Sequence, residues 1–236
     1  YLENEQNYKE KHFSDLATMG KQHILDYLGK MTEVVNSAGL SISVVGTDSK
    51  TLQHLFESIY ISSEADSGLV FARDGSLIYG DEEFGALFFE TAREARSSGG
   101  SSVSEFVECS DGKKRLGIAA PFMDPNGKTG TVMLLFSQSS LIQMLEDPNL
   151  NDGGRFCVFD SDGSLILCLN SEQQLLEEKQ FTVDTTGPLK EQLFTVTLKN
   201  DGRQYTAYSK PVGVNNWFVV YSAPKDQAQS GLSTDI

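Results

Sequence analysis

The chain has 236 residues, with 33 acidic against 19 basic side chains and a formal charge of −14. That balance argues against nucleic acid, whose affinity comes from Lys and Arg on phosphates, and against docking on an anionic membrane surface. The length suffices for one large or two modest cores, and the longest apolar run, Val132 to Phe136, falls short of the ~20 residues that cross a bilayer.

The first stretch has a helical period. Phe13, Leu16, Gly20, Ile24, Tyr27, Leu28, Met31, Val34 and Val35 recur every three or four residues, one stripe on one face. A helix from about Leu2 to Ser37 would span roughly 50 Å at ~1.5 Å per residue, more than one small domain needs. Gly20 and Gly29 are candidate bends, and Gly39 is the expected stop. A short apolar segment, Leu40 to Val45, precedes a helix capped by Asp48 or Ser49, with Leu52, Leu55, Phe56 and Ile59 on its apolar side. A hairpin follows, strands 69–73 and 76–79 around an Asp74-Gly75 turn. Residues 81–97 read as one helix with Phe84, Leu87, Phe88 and Ala92 inward. Strands 103–109, 114–122 and 129–137 come next, separated by Asp111-Gly112 and Pro125-Asn126-Gly127, and then a helix at 139–146.

The second half repeats this order. Val70-Phe-Ala-Arg-Asp-Gly-Ser-Leu-Ile78 and Val158-Phe-Asp-Ser-Asp-Gly-Ser-Leu-Ile166 agree at seven of nine positions. Asp111-Gly112 precedes Pro121 by the same spacing as Asp201-Gly202 precedes Pro211. The later elements are a hairpin at 156–168, helical pieces between about 171 and 193, and strands 193–199, 203–212 and 216–223. Two copies of a five-stranded antiparallel sheet, with helices inserted after strand two, give an α+β fold rather than an alternating βαβ one. The expected division is a helix at 1–40, a first unit at 41–147, a linker at 148–153, a second unit at 154–224 and a tail at 225–236.

Catalytic and metal signatures are weak. Gly127-Lys128-Thr129 imitates the end of a phosphate loop, but the required Gly is Phe122, and the segment lies between antiparallel strands. Asp160-Ser-Asp-Gly163 imitates a calcium loop with its Gly misplaced. His12 and His23 share a helix face but lie about 16 Å apart, too far for one metal. No catalytic residue, metal site or cofactor is expected, and the fragment is read as no enzyme. Cys157 falls directly opposite Cys168 if Asp162-Gly163 is a two-residue turn, within reach of a disulfide. Two readings stay open there: ordinary strand thiols, or a bridge, which would imply an oxidising compartment. Cys109 has no evident partner.

The long helix, the two Val-Phe-x-x-Asp-Gly-Ser-Leu-Ile hairpins and the closing segment from Tyr205 to Tyr221, with Trp217 starting the last strand, resemble the double Cache family, a tandem of PAS-like domains. The resemblance implies an extracytoplasmic sensor of a bacterial membrane receptor, anchored by flanking spans outside this chain. It implies a small-molecule ligand in the first, membrane-distal unit and an output such as a histidine kinase, chemoreceptor signalling domain or diguanylate cyclase. The lack of an initiator Met and the end shortly after Ala223-Pro224 fit a piece of such a receptor. A free or wall-anchored binding or adhesion protein is the alternative. The family's best-defined ligand pattern reads amino acids through an aromatic–Arg–Trp–Tyr cluster and a later Asp. Here the helix Phe84 to Arg96 supplies Phe88, Phe89, Arg93 and Arg96 but no Trp-Tyr pair, and the lone Trp217 lies in the second copy.

The residues themselves offer a pocket. On strand 114–122, Arg115, Gly117 and Ala119 share one face, with small residues in the middle and a cation at one end. The candidate site lies between that face and the helix 84–96, with Phe88, Phe89 and Phe106 as apolar walls and Arg115 or Arg93 meeting an anionic group. The competing reading is that Gly117 and Ala119 let a helix approach closely. The second unit, with Tyr205, Ala207 and Ser209 on the equivalent strand, reads as a structural relay. The N-terminal helix is the natural surface for a homodimer.

Overall fold

The computed structural model describes residues 2–145, 154–160, 163–169, 181–182, 189–198 and 202–225. The expected linker at 148–153, the tail beyond Lys225 and nearly all of the helical pieces at 171–193 lie outside them. The chain divides into two compact units, one of residues 27–141 and one of residues 1–26 with 142–236.

Helix α1 runs Leu2–Val45, longer than its apolar stripe suggested. Gly39 is not its stop. The backbone there lies close to the unit 27–141 sheet, where a β-carbon would sit 3.5 Å from the Pro121 carbonyl oxygen and from Val132. The helix ends instead at Gly46, whose φ of +90° is the left-handed conformation that closes a helix, its N–H donating to the Ile42 carbonyl at 2.9 Å. The segment Leu40 to Val45 is therefore helical. Helix α2, Ser49–Ser62, starts as expected: the Asp48 carboxylate accepts from the Thr51 N–H at 3.0 Å.

Five strands of unit 27–141 follow: β1 (Ala65–Ala72), β2 (Leu77–Tyr79), β3 (Ser102–Glu108), β4 (Lys114–Met123) and β5 (Thr129–Ser137), ordered β2-β1-β5-β4-β3 and antiparallel throughout. Between β2 and β3 the expected single helix is two, α3 (Glu82–Leu87) and α4 (Phe89–Ser98), broken at Phe88. The Asp81 carboxylate caps α3 through the Glu83 and Phe84 N–H groups. The break turns Phe88 into the core and leaves Leu87, expected inward, 40 % exposed. Helix α5 is Gln138–Leu145.

Helices cover both faces of this sheet. Gly117, Ala119, Met133, Leu135, Leu69 and Phe71 face α4 and Phe88, whereas Gly68, Ile118, Val132 and Leu134 lie on the opposite face, with α1 and α2. Phe56 of α2 lies against Gly68 and stacks on Tyr79, ring centroids 4.8 Å apart and planes 6° from parallel.

The other unit repeats the topology. β6 (Arg155–Phe159), β7 (Leu165–Leu169), β8 (Phe181–Thr182), β9 (Gln192–Leu198), β10 (Gln204–Pro211) and β11 (Phe218–Pro224) are ordered β7-β6-β11-β10-β9-β8. Without the two-residue β8, this is the order of the first sheet. The start of α1 packs here: a β-carbon on Gly20 would meet the Phe156 ring at 2.6 Å, and Phe13 meets Tyr221 edge-on at 5.2 Å. Trp217 is buried in the turn before β11, where Asn215 and Asn216 both have positive φ.

The repeated hairpins close with three-residue loops, not two. Gly75 donates to the Ala72 carbonyl and the Ala72 N–H to Ser76, as Gly163 does to Asp160 and Asp160 to Ser164. Gly75 and Gly163 have φ of +88° and +82°, the left-handed conformation that favours glycine. The extra residue is absorbed by a bulge at Val70/Phe71 and again at Val158/Phe159, and it restores the pairing of Cys157 with Cys168. Those two cysteines form a disulfide, and Cys109 is a buried free thiol.

Two measurements check this packing. Gly68→Ala places a methyl against the Phe56 ring, so it should cost about 1–3 kcal/mol in urea unfolding, and adding Phe56→Leu should recover part of the loss. Opening the Cys157–Cys168 loop with Cys157→Ser and Cys168→Ser should cost about 2–3 kcal/mol of chain-entropy stabilisation, read as a lower midpoint in thermal unfolding. Unchanged midpoints would contradict these assignments.

Candidate functional site

The face of β4 that bears Arg115, Gly117 and Ala119 is closed by helix α4 and Phe88. Phe88 is 1 % exposed, and its ring lies over Gly117. A β-carbon on Gly117 would stand 2.8 Å from Phe88 Cδ1 and 3.0 Å from Met133 Sδ, so no other residue type fits without movement. Ala119 is fully buried in the same cluster, with Ala92 and Ala95 of α4. Phe89 is half-buried and meets Phe71 edge-on at 6.4 Å. Ser104 completes the local backbone: its hydroxyl accepts from the Gly117 N–H at 2.8 Å.

Two residues expected at this face are elsewhere. Arg93 is on the outer side of α4, ion-paired with Glu90 one turn away and well exposed. Phe106 pairs directly with Leu116 and so shares the opposite face of the sheet, while its neighbour Val107, paired with Arg115, faces α4. A bulge in β3 between Val103 and Phe106 interrupts the strand's alternation.

Arg115 is only 5 % exposed, and its charge is taken up by two carboxylates that the sequence did not associate with it. Nε donates to both Asp66 oxygens at 3.2 and 3.0 Å, and the two terminal nitrogens donate to the Asp111 oxygens at 2.9 and 2.8 Å. The Phe84 ring lies 4.8 Å from the guanidinium carbon. One side chain thus joins β1, the β3–β4 turn and α3. Glu83 adds a second tie, accepting from the Ser110 N–H and hydroxyl.

Thr131 is the residue that sequence reasoning passed over. It sits in β5 between Phe71 and Pro121, on the α4 side, with no exposed surface. Its hydroxyl has no hydrogen-bond partner. A buried unpaired hydroxyl costs roughly 1–3 kcal/mol. The available signal was its position: one hydroxyl residue within an otherwise apolar central strand, Thr131 to Phe136.

The Arg115 cluster sets an acid response. The Asp111 carboxyl is held down at about 2, first by the Arg115 hydrogen bonds and then by the Lys113 N–H, against the usual 3.8. A carboxylate depressed by folding stabilises the fold above its unfolded value and loses that contribution as pH falls, here between about 4 and about 2. Stability measured by urea unfolding should fall through that window, and Arg115→Met should flatten the fall. At neutral pH the same variant should lower the midpoint of urea unfolding, because it breaks the joint among β1, the β3–β4 turn and α3. An identical acid profile in the variant would show that Arg115 does not govern Asp111.

No protein-family model and no curated protein sequence matches the chain. Solved structures do match it, along nearly its whole length. The ligand-binding domain of the Pseudomonas fluorescens chemoreceptor CtaA, in complex with L-isoleucine, is 17 % identical with a TM-score of 0.70, over 96 % of each chain. The ligand-binding domain of the Pseudomonas aeruginosa amino acid chemoreceptor PctB, in complex with L-Arg, is 14 % identical with a TM-score of 0.69, over 96 % of this chain and 98 % of the other. The sensory domain of the Campylobacter jejuni chemoreceptor Tlp3, with isoleucine bound, is 11 % identical with a TM-score of 0.68, over 96 % of each. The long helix, the two sheets in one repeated strand order and this end-to-end correspondence give the chain the fold of these ligand-binding domains, a long N-terminal helix followed by two tandem PAS-like sheets.

Proposed function

We propose that this chain is the extracytoplasmic small-molecule sensing domain of a bacterial membrane signalling receptor, with its ligand held in unit 27–141. The observation that carries the reading is the correspondence, over nearly all of each chain, with chemoreceptor domains whose structures hold amino acids. The Cys157–Cys168 disulfide supports an oxidising, extracytoplasmic setting.

The ligand position in this reading is the α4-covered face of β4 and β5. Thr131 offers an unsatisfied hydroxyl there, Gly117 removes bulk, and Phe88 fills the space between α4 and the sheet. With Phe88 against Gly117 that face is closed. A ligand that prefers a state with Phe88 displaced would shift the domain toward it, and only this differential affinity can drive a signal. Arg115 lies at the opposite end of this face from Thr131, where its two carboxylate partners hold its guanidinium in place. An anionic ligand group would have to compete with Asp66 or Asp111, whereas an uncharged or zwitterionic ligand would not.

A thermal-shift screen of the L-amino acids and small organic acids tests this, because a ligand of the folded state alone raises the melting temperature. At least one compound should raise it. Thr131→Val should stabilise the free domain by about 1 kcal/mol, since it removes the unpaired hydroxyl, and should weaken that ligand in calorimetry. A ligand bound equally well by Thr131→Val and Gly117→Ala would exclude this face, and a screen with no shift would count against a sensing role.

A further inference from the structure

A cleft of about 390 Å³ opens at the far end of β4 from Arg115, on the α1–α2 side of the sheet rather than the α4 side. Between Arg115 and Phe122 the strand covers roughly 23 Å. The cleft is lined by the tips of two hairpins, with Arg73 and Asp74 from one and Asp124, Lys128 and Thr129 from the other, and by Thr47 at the end of α1. Phe122, Ala72 and Ile78 supply its apolar lining. A volume in this range is that of ordinary small-molecule pockets.

The polar groups divide by whether they are already occupied. Asp124, 7 % exposed, accepts from the Asn126 and Lys128 N–H groups at 2.9 and 2.8 Å, and Asp74 accepts from the Ser76 N–H and hydroxyl. Both carboxylates are tied to their turns by these bonds and keep their negative charge, so an anion in the cleft has to approach from the Arg73 and Lys128 side. Arg73 and Lys128 make no ion pair and no side-chain hydrogen bond among the described residues. In a chain with a charge of −14, two cations on one apolar-lined cleft stand out, and Gly127-Lys128-Thr129 gains a role that its sequence likeness to a phosphate loop did not explain. The turn is fixed by its own hydrogen bonds, Gly127 to Asp124 and Asp124 to Lys128, so the Lys128 backbone is held before any ligand arrives.

We propose that this cleft is a second binding site, for a small organic anion with one or two carboxylates on a hydrocarbon body. Arg73 and Lys128 meet the charge, and Phe122, Ala72 and Ile78 meet the hydrocarbon. The site is independent of the one assigned to the α4 face and does not require that the chain be a sensor.

The test is calorimetric titration of the whole 236-residue chain at low ionic strength with benzoate, succinate and inorganic phosphate. Benzoate or succinate should bind once per chain, more weakly as salt is raised. Arg73→Gln and Lys128→Gln, both at exposed positions, should each reduce that affinity about tenfold, as expected for loss of a charged hydrogen bond, while Thr131→Val leaves it unchanged. No heat with either carboxylate would overturn the proposal. So would affinity untouched by both substitutions, or affinity that falls in Thr131→Val but not in Arg73→Gln, which would put the anion on the other face. Phosphate binding as tightly as the carboxylates would refute the organic part.

Discussion

The central strands of unit 27–141 have no wet face, and the rest of that unit depends on this. An antiparallel sheet commonly keeps one side for solvent, and its strands then alternate apolar and polar residues. Here α1 and α2 lie on one side and α3 and α4 on the other, so β4 and β5 must bury consecutive residues. The unbroken Val132 to Phe136 run follows directly. The glycines at positions 39, 68 and 117 follow too, because each lies where an element on one side comes within contact of the other. In such a layer a polar side chain is conspicuous, and this gives the Thr131 hydroxyl its weight.

Charge is managed at the two ends of β4 in different ways. At the Arg115 end, one buried guanidinium is shared by two carboxylates, and its planar fork meets one of them with two parallel bonds. The arrangement fixes three elements at one point, so its value lies as much in geometry as in energy. At the Phe122 end the carboxylates serve backbone turns and the cations are left to solvent. The same residue types therefore build a rigid joint in one place and an open, charged surface in the other.

Much of the fold was legible because it rests on local chemistry. The Asp-Gly turns, the Asp48 cap and the helical stripe of α1 each follow from a few neighbouring residues, and the duplicated hairpin betrayed the repeated sheet order before any strand was paired. What stayed hidden depends on contacts distant in sequence. Gly39 looks like a helix stop until the sheet beneath it is known. Phe106 was expected as a wall of the pocket, but across a bulge in β3 it pairs with Leu116 on the opposite face. Arg115 read as an available cation because Asp66 is 49 positions away and only the sheet brings them together. The competing sequence reading of Gly117, as room for a close helix, describes what Phe88 does there.

The repeated hairpin is secured differently in its two copies. Cys157 and Cys168 correspond by position to Leu69 and Gly80, and at Gly80 a β-carbon would stand 2.6 Å from the Gly68 carbonyl oxygen. The first copy therefore cannot carry the same cross-link. Its edge strand, β2, has three residues and is held by hydrogen bonds and the Phe56–Tyr79 stack, while β7 has five and is joined covalently to its neighbour. Edge strands open locally at free energies well below that of global unfolding, unless something restrains them. Backbone amides of β2 can thus exchange with solvent through peeling alone, whereas the β7 edge stays tethered in any partly opened state. The duplication has given the domain one hairpin that can breathe and one that cannot detach.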